Sequence, residues 1–256
     1  SSARCAVAPY ILNRLEDRHA DALIGDLVGR GFGMLIAHIA RATIDLNRDP
    51  RDIDRRMISG LPHGQALIET AKSRGGLGLF PRSLPRIGPL WRYPLPWSEA
   101  RARIDTIHAP YHARLEREMT RIFTLHGQAL LLDVHSMPPL EQGRFADGPR
   151  PDVVIGDRYG ASAAPRFAEL ARQVAMRHGL VAAVNHPYPG SYTLERHGRP
   201  AQGRHAIQIE ISRDLYLDAR LDALGEGVDA TRAMLTELVL TLAEEMRGEA
   251  LPVAAE

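Results

Sequence analysis

The residues of this sequence that could do chemistry fall into separated islands. In LLLDVHSMPP (Leu130 to Pro139), Asp133, His135 and Ser136 emerge from an apolar run. Polar groups at the end of a buried strand cost desolvation unless they are paired or bind metal. In open α/β sheets that carboxyl-terminal edge is also where ligands bind. His135 is therefore a candidate metal ligand; the alternative is an imidazole satisfied by a neighbouring backbone carbonyl. The segment RHAIQIEISRDLY (Arg204 to Tyr216) alternates, with Ile207, Ile209 and Ile211 on one face and Gln208, Glu210 and Ser212 on the other. A carboxylate inside an apolar strand makes Glu210 a candidate general base whose pKa burial would raise. The competing assignment is a buried ion pair, with Arg213 as the available partner.

Other islands carry weaker signals. IDLNR (Ile44 to Arg48) ends in Asn47 and Arg48, an amide beside a guanidinium that offers fixed donors to a carboxylate. LEDRHADAL (Leu15 to Leu23) clusters Glu16, Asp17, His19 and Asp21. Acids there suit a helix start without any function, and gain interest as ligands only if His135 lies near. His108 and His112 stand four apart, a chelating spacing, but Pro110 intervenes and no Glu follows His108 as in HExxH. His63, His186 and His197 sit in segments read as loops, where substrate contact competes with plain solvation. Gly76 and Gly78 in GGLGLFPR lack the preceding strand that a phosphate cradle requires.

The elements that must position these residues read as one α/β domain over 1–256. Apolar periodicity predicts a helix from Asn13 to about Arg30, carried by Leu15, Leu23, Leu27 and Val28. Met34 to Ile39 and Ala42 to Leu46 read as short buried strands, ended by Pro50. Residues 51–98, rich in Pro, Gly and Arg, read as a long functional loop outside the core. Ile104, Ile107, Tyr111, Leu115, Met119 and Ile122 mark the clearest helix, closed by Gly127. Strands follow at Ala129 to Val134, Val153 to Asp157, Leu180 to Asn185 and Arg204 to Ser212, with helices near Ala161 to His178 and Val228 to Arg247. Strands alternating with helices predict a mostly parallel or mixed twisted sheet, covered by helices on both faces.

Composition narrows the classes. The chain has 256 residues, a hydrophobic fraction of 45% and a formal net charge of +1, so no global basic excess argues for nucleic acid. Of its 32 basic residues only Lys72 is a lysine; arginine is the better two-pronged grip for carboxylates. Cys5, the sole cysteine, excludes an internal disulfide and a Cys-based zinc cluster and suits a reducing, cytoplasmic setting. No apolar run approaches a membrane span, and SSARCAVAPY has no signal-peptide pattern.

Taken in order, LEDRHADAL, IDLNRDPRDID, GLGLFPR, APYH, LLDVHSMP, RPDVVIGDRYGAS, VNHPYPGSYTLERHGRP and HAIQIEISRDLYLD resemble the N-formylglutamate amidohydrolase family, across most of residues 15–218. That family looks like a branch of the zinc carboxypeptidase and aspartoacylase superfamily. The resemblance implies a zinc-carboxypeptidase-like α/β fold and one catalytic zinc. It further implies hydrolysis of N-formyl-L-glutamate to formate and L-glutamate late in histidine breakdown. By position, His135 would be the late metal ligand and Glu16 or Asp17 the acidic one. Glu210 would be the general base, and Asn47 and Arg48 the pair gripping a substrate carboxylate. Arg82 and Arg213 would be second anchors for a dicarboxylate. The family's early ligand, in a Pro-His-Ser-Gly motif before the acidic residue, is expected upstream of Ser1; His63 in LPHG follows IDLNR and is out of order. The rival expectations are a non-catalytic binding protein for acyl amino acids on the same scaffold, and a hydrolase of another short N-acyl amino acid.

Overall fold

The computed structural model describes residues 4–144 and 148–248. Backbone contacts divide the chain into two compact units, Ser1–Glu16 with Ala37–Leu115, and Asp17–Ile36 with Glu116–Glu256.

The first unit holds α1 (Pro9–Leu12), β1 (Ile58–Ser59), α2 (Ala71–Arg74), β2 (Ser83–Leu84), β3 (Gly88–Pro89), β4 (Leu95–Pro96) and α3 (Trp97–Arg103). Its strands are two residues long and pair only as β1 with β4 and β2 with β3. The unit is nonetheless organised around apolar clusters: Ile44, Ile53, Met57, Leu79, Phe80 and Leu95 bury together. Residues 51–98 thus supply core, contrary to the reading from their composition. Frequent Pro and Gly break the backbone into turns, but the apolar side chains between the turns still face inward.

A π-helical segment, Ile104–His108, leads directly into α4 (Ala109–His126). Pro110 cannot donate the backbone bond that would tie it to the preceding turn, and the widened π turn just before it accommodates that loss. The predicted stripe faces inward at Leu115 and Met119.

The second unit contains β5 (Ala129–Met137), β6 (Val153–Gly156), α5 (Pro165–Arg177), β7 (Ala182–Val184), α6 (Tyr192–His197), β8 (Arg204–Ser212) and α7 (Val228–Gly248). Its sheet order is β5-β8-β6-β7; β5 with β8 and β6 with β7 are parallel, while β6 and β8 are antiparallel. The sheet is therefore mixed. Ile207, Ile209 and Ile211 of β8, with Val153 and Ile155 of β6, pack against Phe167, Ala171 and Val174 of α5 and Met234, Leu235 and Leu238 of α7. Each helix presents these residues three or four apart, so one apolar stripe meets one apolar face. Among the described residues no helix is long and apolar enough to cross a membrane.

Three predicted elements are absent. Residues 13–30 form no continuous α-helix but three 3₁₀ segments, Asn13–Leu15, Ala20–Leu23 and Gly25–Arg30. His19 takes a left-handed conformation at φ 55°, and Gly25 and Gly29 lower helix propensity further on. Residues 34–39 and 42–46 form no strands. The former exposes Leu35, Ile36 and Ile39; the latter is a turn that buries Ala42 and Ile44.

His205 shares the apolar side of β8 with Ile207, and its ring lies 4.7 Å from that of Phe167. Nδ1 accepts the Ala164 N–H at 3.3 Å, which only the ring unprotonated at Nδ1 can do. Burial, with the Arg166 charge adding to it, pushes its pKa from 6.5 down to about 4. The unfolded chain then binds more protons than the folded chain between these values. Stability is present in full above about pH 6.5 and falls by about 3 kcal/mol as the pH drops to about 4. His205→Asn, which keeps an acceptor but does not titrate, should flatten that part of a urea-denaturation pH profile; an unchanged slope would contradict the assignment.

Candidate active site

β5 and β8 are in register with Asp133 opposite Gln208 and His135 opposite Glu210. Residues directly opposite one another share a face, so these four side chains lie on the side of the sheet away from the isoleucines. The period-two pattern of β8 carries straight across to β5.

Asp17 joins this face from a distant part of the chain. Its Oδ2 is 2.9 Å from His135 Nδ1, and its Oδ1 accepts from Ser136 N at 2.8 Å and from Ser136 Oγ at 3.2 Å. The Asp17 segment is itself anchored: the Tyr216 hydroxyl donates to Arg18 O at 2.6 Å, Arg232 donates to Ala22 O, and Leu23 is buried in the core. On the other side of the ring, His135 Nε2 is 3.1 Å from Asp133 Oδ2. Burial alone pushes the His135 pKa down, but Asp133 and then Asp17 outweigh it and hold the ring well above its ordinary value. The result is an imidazolium between two carboxylates.

Glu210 is half-buried beside this trio, and Gln208 Nε2 donates to its Oε1 at 2.8 Å. Arg213 is buried and its Nε donates to Ser136 Oγ at 3.1 Å. Ser136 thus links Arg213 to Asp17. The structure brings together Asp17, His135, Glu210 and, through Ser136, Arg213.

The remaining predicted residues belong to the first unit. Glu16 closes that unit's first segment and is half-buried. Asn47 is buried at the 45–48 turn, where Asp45 Oδ1 accepts the Asn47 N–H at 3.0 Å. Arg48 donates from Nε to Leu77 O at 3.0 Å and from a terminal nitrogen to Asn47 O at 2.9 Å. Arg82 donates from Nε to Asp54 Oδ2 at 2.6 Å. Burial pushes the Asp54 carboxyl up, yet Arg56 and Arg82 together hold it below the usual range.

Three of the other histidines, His108, His112 and His197, are not placed as their spacing or context suggested. His108 Nε2 is 2.9 Å from Arg48 O and His112 Nε2 is 2.8 Å from Leu46 O, so the Nε2 atom of each ring already meets a backbone carbonyl. His63 and His186 are exposed. His197 is not in a loop: it lies in α6, buried, with Nδ1 3.0 Å from Glu116 Oε2. Asp133 and Gln208 were visible in the sequence as neighbours of His135 and Glu210, but no local signal shows that they hold those residues.

The zinc implied by the resemblance does not fit the side chains as they stand. Among the described residues no three His, Cys, Asp or Glu side chains form a set that could hold a metal ion. Both ring nitrogens of His135 already face carboxylates. An ion taken through Nε2 would require Asp133 to release it.

A family model described as N-formylglutamate amidohydrolase matches residues 2–217. The chain belongs to the N-formylglutamate amidohydrolase family. It is 32% identical over 217 residues to a protein of Pseudomonas aeruginosa named N-formylglutamate deformylase, covering 83% of this chain and 75% of that one. A protein of the same name from Pseudomonas putida is 32% identical over 191 residues, covering 73% of this chain and 65% of its own length. The crystal structure of N-formylglutamate amidohydrolase from Ralstonia eutropha superimposes with a TM-score of 0.88 at 34% identity, covering 96% of this chain and 88% of that one. The α/β fold expected from the resemblance is therefore the fold of this family.

Asp17→Ala would leave His135 facing one carboxylate instead of two and Ser136 N–H without its acceptor. Loss of a partly buried charge partner, which is also the acceptor for the buried Ser136 N–H, should lower stability by about 2–4 kcal/mol, read by chemical denaturation. A change within a few tenths of a kcal/mol would mean that the Asp17 contacts are incidental.

Proposed function

We propose that this chain hydrolyses the formyl amide of N-formyl-L-glutamate, releasing formate and L-glutamate. The reading is supported by the likeness to proteins named for that deformylation. The geometric observation that carries it is Glu210 beside His135 on the polar face of β5 and β8, opposite a packed isoleucine face. The reaction's place late in histidine breakdown, and in the cytoplasm, is part of the same proposal.

Glu210 is assigned as general base. The amide of Gln208 holds one carboxylate oxygen and thereby sets the plane of the group. From that position Glu210 takes a proton from the attacking water and passes it to the departing amine nitrogen. Asp17 and Asp133 fix the His135 ring beside Glu210, and an arginine is assigned to stabilise the negative charge that develops on the amide oxygen. Asn47 and Arg48 are assigned to one substrate carboxylate, with Arg82 and Arg213 as anchors for the second. Zinc, with His135, Asp17 and Glu16 as donors, belongs to this proposal only as a quantity to be measured, because the contacts of His135 oppose it. Metal analysis of the purified chain supplies that number independently of turnover.

The test is formate release from N-formyl-L-glutamate by the purified protein. Glu210→Gln preserves shape and can still meet Gln208, yet cannot take a proton; kcat should fall by roughly 10²–10⁴-fold with KM little changed. A Glu210→Gln enzyme that turns over normally would remove Glu210 from the reaction.

A further inference from the structure

The His108 and His112 rings are buried in the first unit, 2% and 0% exposed, with centroids 4.6 Å apart. Two polar rings on successive turns of one helix, both out of water, need a reason, since apolar residues of similar size would pack there without desolvation cost. Their hydrogen bonds supply one. His108 Nε2 meets Arg48 O and His112 Nε2 meets Leu46 O, the two carbonyls flanking Asn47. With a carbonyl acceptor, each Nε2 must carry the proton and donate it.

We propose that His108 and His112 are positioning residues that hold Asn47 and Arg48 in the orientation that binds a substrate carboxylate. The inference rests on the deformylase reading and goes beyond it by assigning specificity to residues that do not themselves touch substrate. Pinning the carbonyls of residues 46 and 48 fixes the 46–47 and 48–49 peptide planes, one on each side of the Asn47–Arg48 pair. The turn is closed from its own side by Asp45 on the Asn47 N–H and by Arg48 reaching Leu77 O and Asn47 O. The π segment Ile104–His108 ends at one of the two rings. A turn that presents an amide and a guanidinium is thus held by two imidazoles 60 and 66 residues away in sequence. That is more support than packing such a short segment requires. A preorganised clamp keeps its donors aimed before substrate arrives.

The experiment compares wild type with His108→Leu, His112→Leu and the donor-retaining His112→Gln. Each is assayed on N-formyl-L-glutamate and on its two mono-amides, with Arg48→Leu as the benchmark for a lost clamp. Amide hydrogen exchange across residues 44–49 is measured in parallel. Both Leu variants should raise KM for the diacid about 10-fold or more with kcat changed far less, and reduce preference for the diacid over one mono-amide toward that of Arg48→Leu. Exchange at residues 44–49 should quicken in the Leu variants, and His112→Gln should recover part of the preference. An equal loss on all three compounds, or KM and exchange both unchanged, overturns the inference. A Leu variant that does not fold leaves His112→Gln to decide, through its preference ratio. Wild-type protein that hydrolyses none of the three compounds refutes the deformylase reading instead. Calorimetric titration with L-glutamate then tests the clamp, which stands only if the Leu variants bind at least 10-fold more weakly than wild type.

Discussion

A charged imidazole held between two carboxylates constrains most of what surrounds it. A buried charge without partners is costly, and two buried carboxylates without a cation between them are worse. Asp17 therefore has to reach His135, which requires the 17–24 segment to be anchored on the unit that carries the sheet. Tyr216 and Arg232 provide that anchorage through backbone carbonyls, and Leu23 through the core. The second oxygen of Asp17 then satisfies Ser136, whose hydroxyl also takes Arg213. A strand end, the Asp17 segment and the turn after β8 are tied into one electrostatic unit, and Glu210 sits at its side.

Much of the fold was legible because it follows simple periods. β8 alternates with period two, and α5 and α7 repeat at three and four, so their buried faces could be read directly. Residues 34–39 show where that reading stops. Their apolar run has the composition of a strand, but a strand exists only with a partner to complete its hydrogen bonds, and partnership is not written in a local window. Residues 13–30 fail differently: the apolar spacing suits a helix, and Leu15, Leu23 and Leu27 are indeed buried, but His19 in a left-handed conformation divides the backbone. The side chains followed the pattern while the main chain did not.

The candidate site was legible at His135 and Glu210, whose shared face follows from strand parity once the two strands are neighbours. What each group touches was not. Asp17 lies 118 residues before His135, and nothing near either position distinguishes an acid that caps a helix from one that clamps an imidazole. His108 and His112 carried a spacing that suits chelation, yet the same spacing serves equally to hold two carbonyls of one turn. Spacing limits what a pair of rings can reach; the surrounding backbone decides what they do.

The two histidines of the sheet make that distinction physical. His205 and His135 lie on neighbouring strands but on opposite faces. Against Phe167 and the helix layer, His205 is driven toward the neutral form and used as an acceptor. Between Asp133 and Asp17, His135 is held in the charged form. The same side chain, comparably removed from water, shifts in opposite directions because one face offers partners for charge and the other offers none. The Asp133–His135–Glu210 side of the sheet can therefore hold charge, while the opposite side of the same strands is packed with isoleucine.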